Sequence, residues 1–258
     1  VIGKRIPNLK GVIKMKVPFR EKYAFGVGAL GKDAVICFVN TFLLFYYTDV
    51  LYLSPAFVGT LFFGARVWDA INDPVMGMII DNTRSKFGKF RIWLVIGTLL
   101  NAIVFVLLFT NFNLSGGALY IYCAVTYVIF GMTYTIMDVP YWSWLPNLTS
   151  DPEERERVSV LPRIFASLAG LLTGTFGLQA VNLLGSGDQM KGFQLIAIFI
   201  AIAFIIFIGI TVTNVPEAST LDQQNAPKLT VKKAVHVIKS NDQLLAFIGL
   251  LLTFNLSM

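Results

Sequence analysis

The chain has 258 residues, 55% apolar and only 14% charged, with a mean hydropathy of +0.68 and a net charge of +6. Soluble domains run at about 45–50% apolar and about 25% charged, so this composition argues against a water-soluble globule. The basic residues are dispersed among polar connections rather than gathered into a patch, which argues against a nucleic-acid surface. Both cysteines, Cys37 and Cys123, lie in apolar segments and the single histidine, His236, in a polar one, so no disulfide framework, metal motif or cofactor is expected.

In chain order, residues 1–22 form a basic segment without the apolar core of a signal peptide. Met15 reads as a natural start, with residues 1–14 added or misassigned. Six long apolar segments follow, at about 24–48, 55–80, 91–110, 118–146, 158–184 and 193–214, and a seventh opens near Leu244. Their length predicts an all-α membrane protein, since a spanning helix needs about 20 apolar residues. The bundle is expected over 23–214, a polar middle loop over 215–242 and the start of a seventh span over 243–258. Within the loop, Val231–Ile238 has an amphipathic pattern that suits either the membrane surface or a solvated turn.

The connections alternate in charge. The N-terminal segment, the second-to-third connection (Arg84, Lys86, Lys89, Arg91), the fourth-to-fifth (Arg155, Arg157) and the sixth-to-seventh (Lys228, Lys232, Lys233, Lys239) are basic, whereas the opposite side carries Lys191 alone. The excess of Lys and Arg on cytoplasmic loops places the N-terminus in the cytoplasm.

Within the apolar segments stand Lys32, Asp33, Arg66, Asp69, Asp73, Asp138 and Arg163. A charge at membrane depth costs a few kcal/mol on insertion scales, so such residues mark function by default. In the first segment, Lys32 and Asp33 are about 100° apart on a helix and need not pair. Lys32 also suits snorkelling to the membrane edge, and Gly28 and Gly31 permit close helix approach. In the second, Asp69, Asn72 and Asp73 share one helical face and present oxygens together, as a hard cation requires. Two such carboxylates repel without a cation or proton between them. Pro74 loosens the preceding turn. The plainer alternative is an Arg66–Asp69 ion pair with a proline kink.

The connection Gly77 to Arg91, with Asp81, Arg84, Gly88 and Lys89, suits charge pairs that latch one conformation. It suits equally a loop whose bases only set topology. In the fourth segment, Tyr134, Asp138 and Trp142 are spaced by four, with Thr135 three before Asp138. A carboxylate beside ring faces suits a sugar, accepting hydroxyl hydrogen bonds while the ring packs on its apolar face. Against this, Trp142 also suits an interfacial anchor. In the fifth, Arg163 either bridges Asp33 and Asp138 or pairs with a loop acid at the helix start.

Taken together, these segments resemble the glycoside–pentoside–hexuronide:cation symporters, a branch of the major facilitator superfamily. The residues carrying the likeness are Ala24-Phe-Gly-Val-Gly-Ala-Leu-Gly-Lys-Asp33, Tyr46-Tyr-Thr-Asp-Val50, Val58-Gly-Thr-Leu61, Ala65-Arg-Val-Trp-Asp-Ala-Ile-Asn-Asp-Pro-Val-Met-Gly77, Thr83-Arg-Ser-Lys-Phe-Gly-Lys89, Gly131-Met-Thr-Tyr-Thr-Ile-Met-Asp-Val-Pro140 and Pro162-Arg-Ile-Phe-Ala-Ser167. The likeness covers about 22–214 and is greatest to the carriers of melibiose-type galactosides.

The resemblance implies the N-terminal six-helix half of such a transporter plus the start of helix seven, in a bacterial cytoplasmic membrane. It implies a site for Na+, Li+ or H+ at Asp69, Asn72, Asp73 and Thr135, flanked by Arg66 and Trp68. It also implies a sugar site of Lys32, Asp33, Tyr134, Asp138, Trp142 and Arg163. The expected activity is symport without bond chemistry, with sugar, monovalent cation, lipid and a C-terminal half as partners. The alternatives are another glycoside (a glucuronide or pentoside) and, from a different class, a non-transporting regulatory half-protein. A membrane enzyme using paired carboxylates is disfavoured, because no nucleophile motif is present.

Overall fold

A computed structural model describes residues 16–217, Thr220 and a few positions between 240 and 250. The described residues form six long helices and no strand: α1 (Phe19–Phe45), α2 (Pro55–Asn82), α3 (Phe90–Leu108), α4 (Gly116–Trp144), α5 (Pro152–Gly185) and α6 (Gln189–Asn214). A π-turn, Tyr46–Val50, extends α1, and a 3-10 turn, Leu145–Asn147, extends α4. The amphipathic stretch 231–238, His236 and most of the seventh segment lie outside the described residues, as do residues 1–15.

Helix ends follow local chemistry. Asp151 caps α5 by accepting the Glu153 N–H at 3.1 Å, and Pro152 occupies the first turn, where its missing N–H costs nothing. This cap starts α5 at 152, earlier than apolar content alone places it, because the charged turn Glu153–Arg157 is helical too. In the same way α1 begins at Phe19, so the end of the basic N-terminal segment belongs to the first helix. Asp188 caps α6 through the Lys191 N–H at 3.2 Å, after Ser186 and Gly187 turn the chain with positive φ. Pro74, Pro140 and Pro162 lie inside helices that continue through them.

α1 packs most extensively on α5 and α6, and α3 on α4, while α2 rests mainly on α4. Glycine sets two of these approaches. A Cβ on Gly97 of α3 would lie 2.6 Å from the Met137 backbone nitrogen of α4. One on Gly31 of α1 would lie 3.2 Å from Cα of Phe204 on α6. Small residues at helix contacts are how bundles in lipid pack, where apolar burial gives little drive. An aromatic cluster closes the end of the bundle away from the basic loops, with Phe109 and Phe193 stacked at 5.8 Å beside Phe38, Phe42 and Tyr46.

The exterior is apolar: Leu171 and Phe176 of α5, Ile103 of α3 and Phe199 of α6 are exposed. Five of the helices are long and apolar enough to cross a membrane. α2 has the length, 28 residues, but is set apart from the other five by Arg66, Asp69 and Asp73.

Candidate functional site

A cavity of about 200 Å³ opens between α1, α2 and α4. Arg66, Trp68, Asp69 and Asp73 line it from α2, and Tyr134, Thr135 and Asp138 from α4. Its wall also carries two polar side chains that were not expected there, Asn40 and Tyr127. Asn40 carried a signal, being a polar residue two helical turns beyond Asp33.

On the α2 side, helical spacing turns both acids toward α4. The Thr135 hydroxyl donates to Asp73 Oδ1 at 2.9 Å. Asp69 lies over the bare backbone of Gly131, where an added Cβ would come to 3.2 Å from Asp69 Oδ1. Asn72 keeps a buried amide nitrogen without a hydrogen-bond partner. Arg66 lines the same cavity as Asp69, and among the described residues the two lie beyond direct ion-pair distance. The two carboxylates and the Thr135 hydroxyl line the cavity together and can hold a small hard cation or share a proton, whereas Asn72 is not on the cavity wall.

On the α1 side, Lys32 is the centre. Its Nζ lies 2.8 Å from Asp33 Oδ1 and 2.8 Å from Asp138 Oδ1. The residue is 1% exposed, which overturns snorkelling, and it pairs with its neighbour Asp33 after all. A long flexible stem lets Nζ reach an adjacent carboxylate that the helix directs elsewhere. The rings of Trp142, Tyr141 and Tyr134 surround the ammonium, with centroids at 4.9, 5.2 and 6.0 Å. Ring faces attract a cation and so help hold the charge away from water. Asp33 Oδ2 is buried and has no hydrogen-bond partner.

Tyr141, also unmarked from sequence, donates its hydroxyl to the Phe25 carbonyl and stacks on the Phe25 ring at 4.4 Å. Its signal was a place on the same face of α4 as Tyr134, seven residues on.

Arg163 does not bridge Asp33 and Asp138, because Lys32 does. Leu161 and Phe165, two residues to either side, face Gly26 of α1. At about 100° per residue, Arg163 points away from that contact, and it is exposed.

In the α2–α3 loop, Lys89 Nζ pairs with Asp81 at 2.7 Å and Arg84 bonds the Asp81 carbonyl at 2.8 Å. Gly88 has φ +92° and Gly77 has open space beside it. Asp81 lies in the last turn of α2, so these contacts tie the loop to the end of that helix.

The family model described as "MFS/sugar transport protein" matches residues 24–258. The chain is 34% identical over 240 residues to the inner membrane symporter YicJ of Escherichia coli (strain K12), covering 92% of this chain and 51% of that protein. It is 31% identical over 231 residues to the isoprimeverose transporter of Lactiplantibacillus pentosus, covering 88% and 48%. It is 28% identical over 251 residues to a lactose permease of Lactobacillus delbrueckii subsp. bulgaricus, covering 90% and 39%. All three are transporters, and the chain spans about half or less of the length of each. The chain belongs to the sugar transport family of the major facilitator superfamily.

Proposed function

We propose that the chain is the N-terminal half of a secondary symporter that couples inward movement of Na+, Li+ or H+ to uptake of a glycoside. The observation that carries this reading is one cavity lined by acids of both groups, Asp69 and Asp73 on α2 and Asp138 on α4. Asp69, Asn72, Asp73 and Thr135 take the cation, with Arg66 and Trp68 at its flank. Asp33, Asp138, Lys32, Tyr134 and Trp142 take the sugar, and Arg163, which turns away from them, is left out of this group. A melibiose-type galactoside is the preferred substrate, and the named relatives include carriers of other glycosides. The membrane is a bacterial cytoplasmic membrane, with the basic loops and the N-terminus on the cytoplasmic side.

Coupling runs through α4. The Thr135 hydroxyl donates to Asp73, and three residues on Asp138 forms an ion pair with Lys32. A cation that recruits the Thr135 oxygen shifts the same helical turn that aims Asp138 at the sugar. Such linkage is reciprocal, so sugar must tighten cation binding by the same factor, about 5–150-fold in typical cases. A second half then completes the site, and rocking of the halves exposes it to each side in turn.

The test is sodium titration of sugar affinity in the full-length transporter, with Thr135→Val beside the parent. The parent should gain affinity with sodium, lithium or acid, and the variant should lose most of that gain. Equal sugar affinity of the parent under all these conditions would sink the symport reading.

A further inference from the structure

The entry to α3 lacks a cap of its own. The first N–H groups of a helix have no partner inside it, and Phe87-Gly-Lys-Phe-Arg91 offers no Ser, Thr, Asp or Asn at the cap position. The cap comes instead from beyond α6. Glu217 Oε1 accepts the N–H of Lys89 at 2.8 Å and of Phe90 at 2.9 Å, and its Oε2 accepts that of Arg91 at 2.9 Å. A carboxylate there also complements the positive end of the helix dipole.

Further bonds bind the same two segments. Arg91 Nη2 donates to the Val215 carbonyl at 2.7 Å. The Thr220 N–H donates to the Ser85 carbonyl at 3.1 Å, and the Ser85 N–H to Thr220 Oγ1 at 3.0 Å. Gly88 fits this arrangement twice over. Its φ of +92° favours glycine, and a Cβ would run into the Glu217 carboxylate. Burial pushes the Glu217 carboxyl above its ordinary value, while the three backbone donors and Arg91 pull against that rise. The capped Lys89 in turn holds Asp81 at the end of α2.

We propose that Glu217 is a positioning residue for transport: it locks the α2–α3 loop to the segment leaving α6, so that the two move as one body. The role rests on the transport reading above, because its purpose is to hold Asp81 and Lys89 in place while the molecule changes conformation. Glu217 lies at the far end of the bundle from the aromatic plug and outside the cavity between α1, α2 and α4. Its loss should therefore change the rate of the cycle and spare ligand affinity.

The experiment compares parent, Glu217→Ala, Glu217→Gln and Gly88→Ala in the full-length transporter. Amide hydrogen exchange is read at residues 89–91, together with transport KM and maximal rate for a radiolabelled galactoside. Losing a helix cap shifts a local opening equilibrium roughly 5–30-fold. Exchange at 89–91 should rise by about that factor in Glu217→Ala and Gly88→Ala, and by less in Glu217→Gln, which keeps a neutral acceptor. The maximal rate should fall severalfold in the same order, with KM unchanged.

Unchanged exchange in Glu217→Ala would overturn the cap. Raised exchange with an unchanged rate, or with KM rising instead, would overturn the positioning role. Should Glu217→Ala fail to fold, Glu217→Gln and Gly88→Ala carry the same readings. A parent that moves no sugar defeats the transport reading, and the exchange data still decide the cap.

Discussion

Replacing Lys32 by Met tests the centre of the site most directly. The residue is 1% exposed, and its ammonium sits 2.8 Å from each of two carboxylates. At an effective dielectric of about 20, each contact is worth roughly 6 kcal/mol of gross attraction. Desolvation cancels most of that, and breaking a buried pair typically costs about 3–5 kcal/mol. Against a total stability of about 5–15 kcal/mol, Lys32→Met should lower the thermal midpoint in detergent sharply. The cost arises from the carboxylates left behind, so Lys32→Met with Asp33→Asn should recover part of it. The coupling energy from the cycle of single and double variants should exceed about 1 kcal/mol, as for residues in direct contact. A Lys32→Met protein that melts within about 0.5 kcal/mol of the parent, or a cycle with no coupling, would refute the reasoning.

Two further outcomes are expected. Asp138→Asn removes a charged acceptor from the proposed sugar group, so a panel of labelled glycosides should lose both binding and transport. Retained binding with lost transport would contradict the assignment. Gly97→Ala places a methyl group against the Met137 backbone, a site with no flexible neighbour to yield. Overpacking of this kind costs about 1–3 kcal/mol, and the variant should show a lower thermal midpoint in detergent.

Periodicity and residue type carry far in this chain. The face made by Asp69, Asn72 and Asp73 is a property of one helix, so spacing alone reveals it. The same holds for Tyr134, Asp138 and Trp142, and for the helices themselves, whose apolar runs match the bilayer thickness. Element ends were less legible. Asp151 and Pro152 start α5 within a charged stretch that hydropathy reads as loop.

What the sequence determined, then, is which side chains are charged at membrane depth and which of them share a helical face. The tertiary structure decided which charge meets which. Lys32, not Arg163, joins Asp33 to Asp138, because α1 and α4 border one cavity while Arg163 turns away from the α5 contact with α1. Glu217 caps a helix 127 positions earlier in the chain, a partnership no local pattern encodes. Spacing along one helix fixes direction, but the meeting of groups on different helices depends on how closely those helices pack. Here bare backbone brings α1 onto α6 at Gly31, α3 onto α4 at Gly97, and Asp69 of α2 onto α4 at Gly131.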